Sequence, residues 1–181
     1  MAIILESLRG RAYPISVGTT LREKLSEDGL LSIEIKENNY NYDIINSITK
    51  MWTITNVAGA SDDRVYRIVV VEKSVIGNKQ VLTLQARQRE VDDLNSDRIY
   101  ESYTGSFTGQ KYFETVFLKS GYKFKLVDQV YASRFENLGE GDTRWEMFLI
   151  GLKRYGLEYV YTESNNCLLY TSDAADECVN V

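Results

Sequence analysis

Residues 30–37 read Leu-Leu-Ser-Ile-Glu-Ile-Lys-Glu, "LLSIEIKE". Leu31, Ile33 and Ile35 alternate with polar residues. A period of two is typical of a β-strand that buries one face and exposes the other. This stretch therefore predicts that the first half of the chain is built on a β-sheet.

The sequence on either side of this strand extends the β pattern. Upstream, "IILESL" (3–8) opens with a short apolar run, and residues 11–17 predict an irregular strand that lies at an edge or a turn because it contains Pro14. Downstream, the composition of "NNYNYD" (38–43) is typical of a turn, and "YDIINSI" (42–48) predicts a short helix or turn. In "MWTITNV" (51–57), apolar and polar residues alternate again, as in a strand.

A hairpin is predicted next. "VYRIVVVEKS" (65–74) is rich in β-branched residues, and "QVLTLQA" (80–86) alternates. Gly77 and Asn78 lie between the two, so we expect a hairpin whose connection is longer than the tightest type. "RQREVDDL" (87–94) predicts a polar turn or a helical piece, and "RIYESYTG" (98–105) another strand. Residues 1–104 are thus expected to form a β-rich, barrel-like domain.

Helical periodicity appears in the second half of the chain. In "FTGQKYFETVFLKSG" (107–121), four apolar residues share one helical face, and Gly121 lies where a C-cap glycine belongs. These four are Tyr112, Phe113, Val116 and Phe117. "YKFKLV" (122–127) follows as a predicted strand.

The same order of elements then recurs. In "GDTRWEMFLIGLKRYG" (141–156), Thr143 and Glu146 have the spacing of a capping box, and Gly156 predicts the end of the helix. Its predicted apolar face consists of Trp145, Phe148, Leu149 and Leu152. "LEYVYT" (157–162) is the strand after it. Residues 105–166 therefore predict a small α+β domain, and the fold class of the chain is predicted to be α+β.

The last fifteen residues, 167–181, differ from the rest and hold both cysteines, Cys167 and Cys178. "CLLYTSDAADE" (167–177) agrees throughout with one reading frame of a sequencing-library transposase adapter. We therefore expect residues 167–181 to be an adapter-derived, non-native tail and exclude them from the prediction of the fold. On this hypothesis the α+β domain is incomplete at residue 166.

The composition excludes several classes of function. The chain has 181 residues, a net charge of −5 and no histidine. Without histidine, the chain lacks the residue that most often serves as general base, as a member of a catalytic triad or as a metal ligand. The sequence also contains no block of basic residues of the kind that binds nucleic acid. The apolar runs at 68–71 and 147–152 are far shorter than the roughly 20 residues of a membrane span. We expect a soluble protein that binds neither a cofactor nor a membrane.

Two clusters of residues have a composition that suits a functional site. Glu136, Glu140 and Asp142 could serve glycoside hydrolysis if their carboxylates were held about 5–9.5 Å apart. The favoured interpretation is a solvated glycine-containing loop that leads into a helix N-terminus, where acidic groups suit the helix dipole.

The second cluster interleaves Lys119, Lys123 and Lys125 with Tyr122 and Phe124. Basic and aromatic residues together can hold single-stranded nucleic acid. In a strand, however, the aromatic and basic residues would point to opposite faces, which is ordinary patterning of core and surface. No catalytic, cofactor-binding or metal-binding residue is therefore assigned.

The order of these stretches resembles a known family. The strands in "LLSIEIKENNYNYDIIN", "WTITN", "DRVYRIVVVEK" and "QVLTLQARQREVDDLNSDRI", followed by "GDTRWEMFLIGLKRYGLEYVY", are similar to the N-terminal region of prophage tail endopeptidases, also called tail-associated lysins. These phage tail proteins share a fold with the baseplate hub of contractile-tailed phages. The resemblance covers most of residues 1–166.

The resemblance implies a structural part of a phage tail tip or baseplate hub. It implies a homo-oligomeric ring, a trimer, that contacts neighbouring tail proteins such as the distal tail protein. The implied location is the virion, after assembly in the bacterial cytoplasm, and an endopeptidase would lie further toward the C-terminus. Two alternatives stay open: a cell-wall peptidase or glycosidase that uses the carboxylates near Glu140 or a missing C-terminal part, and a small OB-like module that binds sugar or nucleic acid.

Overall fold

The computed structural model describes residues 2–16, 19–22, 30–57, 64–127, 129–162 and 167–171. The chain divides into two compact units, Met1–Arg89 and Glu90–Val181. The sequence-based division after residue 104 assigns residues 90–104 to the first domain. In the structure, Val91, Leu94 and Ile99 from that segment belong to the core of the second unit.

The first unit is one seven-stranded antiparallel sheet with a short helix. Its elements are β1 (Ala2–Glu6), β2 (Ala12–Ser16), β3 (Thr19–Arg22), β4 (Leu30–Lys36), α1 (Tyr42–Ile45), β5 (Thr53–Thr55), β6 (Tyr66–Ile76) and β7 (Lys79–Gln88). The strands pair in the order β2-β1-β5-β6-β7-β4-β3. The sheet thus confirms the β-rich first half, and Pro14 lies on an outer strand, as predicted.

The alternation in the sequence produces the core of this sheet. Leu31, Ile33 and Ile35 on β4 are all buried, whereas Glu34 and Lys36 on the opposite face form an exposed ion pair at 3.3 Å. β4 lies against β7, with Ile33 opposite Leu84. Since apolar side chains from several strands meet on this face, their burial is the main stabilising contribution to the unit.

The β6–β7 hairpin differs in one detail from the prediction. Ile76 pairs directly with Lys79, so the connection is the two residues Gly77 and Asn78, which is the tightest type. Gly77 has φ 65°, a conformation that glycine adopts without steric cost. The prediction of a longer connection was wrong because the strand pattern continues through Val75 and Ile76 beyond the core.

The second unit combines helices with three small sheets. It contains α2 (Arg89–Ser96, whose first residue belongs to the first unit), β8 (Arg98–Ile99), β9 (Ser102–Phe107), α3 (Gly109–Phe117), β10 (Lys123–Leu126), β11 (Ser133–Gly139), β12 (Asp142–Thr143), α4 (Arg144–Tyr155), β13 (Glu158–Thr162) and β14 (Cys167–Thr171). β9 pairs with β11, β8 pairs with β12, and β14 lies between β10 and β13. The chain is therefore strand-rich α+β, as predicted from the sequence.

An aromatic core joins α3 to α4. Tyr112, Phe113 and Phe148 are fully buried, and the rings of Phe113 and Phe148 meet edge to face with centroids 6.2 Å apart. Such edge-to-face pairs add to the stabilisation from burial alone. The predicted apolar faces of both helices are confirmed, except that Leu149 is only partly buried.

The ends of α4 match the sequence signals, and the end of α3 does not. Thr143 and Glu146 form the full capping box of α4, and Gly156 caps its C-terminus in the left-handed region. For α3 the C-cap is Leu118, and Gly121 lies beyond it in the following turn with φ 84°. The assignment of Gly121 as the C-cap was therefore wrong.

The segment 167–171, which the sequence analysis set aside, is a strand in the structure. β14 runs parallel to β10 and antiparallel to β13, with Leu169 opposite Lys125 on one side and Val160 on the other. Residues 163–166 and 172–181 lie outside the described residues. The structure thus assigns a place in the fold to the first five residues of the tail.

Candidate functional site

The three carboxylates of the first cluster, Glu136, Glu140 and Asp142, lie on the surface of the second unit. Glu140 has φ 54° and accepts a hydrogen bond from the Ser102 hydroxyl at 2.8 Å. Glu136 pairs with Arg134 at 3.3 Å, and both side chains are largely exposed. An exposed pair of this kind contributes little to stability.

The predicted loop around these residues is only partly a loop. Glu136 lies on β11, and Asp142 lies on β12 opposite Ile99. The ladder between β9 and β11 is irregular between Phe135 and Leu138, where Asn137 has φ 53°. A bulge with a left-handed residue bends a strand. The sequence around Asn137 therefore lacks the regular alternation of a strand, and a loop was predicted there.

The basic cluster is a strand surface. Phe124 and Leu126 pack against the core of the second unit, while Lys123 and Lys125 are exposed. This confirms that the alternation separates core and surface residues. Lys119 lies apart from this strand, in the turn after α3 with φ 61°.

Two other kinds of feature are absent from the residues that the structure describes. Within the described ranges, no group of three or more His, Cys, Asp or Glu side chains is placed to hold a metal ion. None of the helices in the described part of the chain has the length and apolarity that crossing a membrane requires.

Three ionisable side chains with displaced pKa values belong to the helical part of the second unit. Burial, with a smaller effect of the nearby Tyr155, raises the pKa of Tyr112, whose hydroxyl donates to the Met147 carbonyl at 2.6 Å. Burial also raises the pKa of Tyr155 to about 12, and its hydroxyl donates to the Phe107 carbonyl at 2.8 Å. The backbone N–H of Thr143, together with its hydroxyl, lowers the pKa of Glu146. Burial accounts for the raised pKa of both tyrosines, and the capping hydrogen bonds account for the lowered pKa of Glu146, so none of the three requires a catalytic role.

The most prominent exposed feature of the first unit is the end of the β6–β7 hairpin. All residues from 72 to 79 are exposed, so neither face of this two-stranded segment is covered by the rest of the unit. We call it the hairpin arm. Val75 and Ile76 near its tip are 69% and 65% exposed, and Lys73 and Lys79 add positive charge. Exposed apolar residues on a strand pair are a typical feature of an interaction surface.

A groove lies beside the outer strand β2. It has a volume of about 530 Å³, and its lining includes Tyr13, Pro14, Tyr40 and Ile44. The ring of Tyr13 stacks on the buried Trp52, with centroids 5.8 Å apart. The groove is therefore built on a fixed wall.

The loop that borders this groove is held by its asparagines. Asn38 Oδ1 accepts hydrogen bonds from the N–H groups of Tyr40 and Asn41, at 2.8 and 3.1 Å. Asn41 Oδ1 accepts from the Asn38 N–H at 2.8 Å, and Asn41 Nδ2 donates to the Lys36 carbonyl at 2.9 Å. Asparagine side chains that bond nearby backbone groups stabilise turns in this way. The loop thus fixes the main chain at Tyr40, whose side chain is fully exposed.

Comparison with protein families identifies the part of the chain that carries these features. Residues 1–90 match the N-terminal tail tube TT1 domain of Tal. The matched range coincides closely with the first structural unit, Met1–Arg89. No match was found among curated proteins.

Solved structures of tail proteins share the fold. The prophage tail protein gp18 of Listeria monocytogenes EGD-e has a TM-score of 0.70 at 12% identity, covering 94% of this chain and 50% of its own. The 43 kDa tail protein of prophage MuSo2 from Shewanella oneidensis has a TM-score of 0.66 at 18% identity, covering 94% and 54%. The E. coli c3393 protein, a type VI secretion component with structural similarity to the T4 tail proteins gp27 and gp5, has a TM-score of 0.57 at 13% identity, covering 87% and 45%.

These findings support a structural role in a phage tail, as a component of the virion. The tail tube domain carries this conclusion, and the solved structures agree in fold. The chain spans about half the length of these solved structures. Sequence reasoning found the strands of the tail tube domain but missed the hairpin arm, whose only signal was the apolar pair Val75–Ile76 next to Gly77.

Proposed function

We propose that this chain is the N-terminal part of a phage tail-tip or baseplate hub protein. Its tail tube domain assembles with copies of itself into a trimeric ring and contacts neighbouring tail proteins such as the distal tail protein. The observation that supports this most is the match of residues 1–90 to a tail tube domain. Assembly takes place in the bacterial cytoplasm before the protein becomes part of the virion.

The exposed surfaces of the first unit suit assembly. The hairpin arm presents Val75 and Ile76 to solvent, and a partner subunit would bury them. The sheet also has two outer strands, β2 and β3. Subunits in closed rings join through two different surfaces, and exposed strands or hairpins can provide them.

The experiment is to measure the oligomeric state of the full-length gene product by light scattering and electron microscopy. We expect a trimeric ring, and we expect Val75→Asp together with Ile76→Asp to reduce ring formation while the circular dichroism spectrum stays unchanged. Leu8→Asp, which alters an apolar residue 70% exposed outside the arm, is the matched control. A stable monomer without rings would contradict the proposal.

The alternative, a cell-wall hydrolase, is tested by a separate measurement of peptidoglycan release. If the protein released peptidoglycan fragments and Glu140→Gln abolished the release, the enzymatic alternative would replace the structural one. The surface position of Glu140 and its bond to Ser102 suit a turn residue, and no observation favours the alternative.

We also propose that residues 167–181 derive from a sequencing adapter. The agreement of residues 167–177 with the adapter translation supports this. Sequencing of independently amplified DNA across codon 166 tests it, since a gene that continues with a different sequence is expected there. Recovery of the same codons from unmodified genomic DNA would contradict it.

A further inference from the structure

The strands β10 and β13 are fixed by the core of the second unit. On β10, the ring of Phe124 lies 6.0 Å from that of Phe113 and 5.9 Å from that of Phe117. On β13, the ring of Tyr159 lies 5.1 Å from that of Phe148 and 5.8 Å from that of Trp145. Both strands are therefore held by side chains of α3 and α4.

The two strands do not pair with each other, because β14 lies between them. Adjacent strands in a sheet are about 4.8 Å apart, so β10 and β13 are separated by about 10 Å. Closing this distance would pull their aromatic side chains away from the rings of α3 and α4. We call the space between them the β10–β13 slot.

The pairing within the slot follows the main chain along its whole length. Lys123–Leu126 of β10 match Cys167–Tyr170 in parallel, and Glu158–Thr162 of β13 match Thr171–Cys167 in antiparallel register. Main-chain hydrogen bonds impose direction and register but do not themselves select a side chain. They do require an N–H group, which proline lacks.

We propose that the β10–β13 slot is a strand-accepting site that takes an extended peptide through its main chain, with little dependence on the peptide's sequence. β14 is the occupant in this chain. Its sequence agrees with an adapter translation, and a sequence of that origin was never selected to pair with β10 and β13. The site binds an extended, proline-free segment of about five residues. This inference rests on the proposed adapter origin of residues 167–181, concerns the second unit, and does not depend on ring formation by the first.

Two variants of the whole chain separate main-chain pairing from side-chain recognition. Leu169→Pro removes an N–H group from the middle of β14. A fourfold variant, Cys167→Thr, Leu168→Val, Leu169→Thr and Tyr170→Val, replaces the side chains but keeps a strand-forming sequence. Ala175→Pro is the matched proline control outside β14. The measurement is amide hydrogen exchange, read by mass spectrometry in β10 and β13, with β4 and β7 as the folding reference.

We expect Leu169→Pro to raise exchange in β10 and β13 by about tenfold or more, and the fourfold variant to stay within about threefold of the parent, with β4 and β7 unchanged in both. Unchanged protection in Leu169→Pro would show that the slot needs no occupant and would overturn the proposal. Loss of protection in the fourfold variant similar to that in Leu169→Pro would show side-chain recognition and would also overturn it.

A second measurement tests the slot as a binding site for a separate strand. Fluorescein-labelled peptide of residues 166–172 is titrated against the Leu169→Pro chain, and anisotropy is followed. We expect saturable binding that restores protection in β10 and β13, and none for the same peptide with proline at position 169. Absence of binding at millimolar peptide would overturn the acceptance of a separate strand.

Discussion

At the scale of single residues, Thr143 has the clearest measurable role. Its hydroxyl accepts from the Glu146 N–H at 3.1 Å, and its own N–H donates to the Glu146 carboxylate at 2.8 Å, which closes the capping box of α4. The hydroxyl also donates to the same carboxylate at 3.0 Å. Thr143→Ala should therefore lower the free energy of unfolding by about 1 kcal/mol. Urea unfolding measures this, and Thr143→Ser, which keeps the hydroxyl, is the control. Equal stability of the alanine and serine variants would contradict the role of the cap.

The same cap makes a prediction about acid. Because the Thr143 N–H and hydroxyl lower the pKa of Glu146, its ionised form stabilises the folded state above the pKa of the unfolded chain. This stabilisation is lost as the pH falls through the lowered folded value. In Thr143→Ala the N–H bond remains and the hydroxyl bond is lost. NMR titration should therefore show the pKa of Glu146 moving part of the way up toward 4.5. An unchanged pKa would contradict the contribution of the hydroxyl.

Tyr155 gives the corresponding prediction in alkali. Its pKa is raised from 10.0 to about 12 by burial, so the folded state holds the phenol proton more tightly than the unfolded state does. The stabilisation is complete below pH 10 and is lost as the pH rises toward 12. Tyr155→Phe should lose less stability over this interval than the parent, as measured by urea unfolding at several pH values. Parallel pH profiles for the two proteins would contradict this.

The residue signals that could be recognised in the sequence are local ones. Thr143 and Glu146 are three positions apart, and Gly156 follows the last apolar residue of its helix, so both ends of α4 were predictable. The burial of Met147 and Gly151 could not be predicted, because it depends on how closely α3 approaches α4. Spacing within one helix carries no information about the distance to another.

At the scale of elements, the approach of α3 to α4 depends on Gly151. A Cβ atom at this position would lie 2.4 Å from Cε1 of Tyr112 and 3.0 Å from Cε1 of Phe113. The Tyr112 ring cannot easily move away, since its hydroxyl bonds the Met147 carbonyl. Gly151→Ala should therefore destabilise the protein by up to about 2 kcal/mol, because the cost of overpacking, about 1–3 kcal/mol, outweighs the helix-propensity gain of about 1 kcal/mol.

Thermal and urea unfolding of Gly151→Ala measure this effect. Ile150→Ala, at a neighbouring position of α4 that is 41% exposed, is the matched control and should change stability by less than about 0.5 kcal/mol. Stabilisation by Gly151→Ala would show that helix propensity, rather than the contact with Tyr112, decides the outcome at this position.

The sequence predicted regular elements well and irregular ones poorly. β4 alternates along its length and β7 alternates from Leu82 onward, so the burial of these residues followed directly from the pattern. A loop was predicted in place of β11, because the alternation of apolar and polar residues stops near Asn137 and glycines follow. In the structure Asn137 has a left-handed conformation within the strand. The two-residue turn of the hairpin was missed because the hairpin arm continues the strand pattern beyond any residue that the core covers.

At the scale of the whole molecule, the chain has two cores, and sequence order alone did not place the division between them. β7 ends at Gln88 and α2 begins at Arg89, so no linker marks the change. The segment 90–104 has strand-like stretches and was therefore grouped with the sheet. Its apolar residues Val91, Leu94 and Ile99 instead pack with the second core, a long-range contact that periodicity cannot reveal.

Separate cores predict separate responses to core mutations. Ile33→Ala in the first unit and Phe148→Ala in the second each remove a buried side chain and should cost about 2–5 kcal/mol. Local stability follows the cooperative unit to which a residue belongs. We therefore expect Ile33→Ala to accelerate amide exchange in β4 and β7 but not in α3 and α4, and Phe148→Ala to do the reverse. If either substitution accelerated exchange equally in both units, the two cores would unfold as one cooperative body.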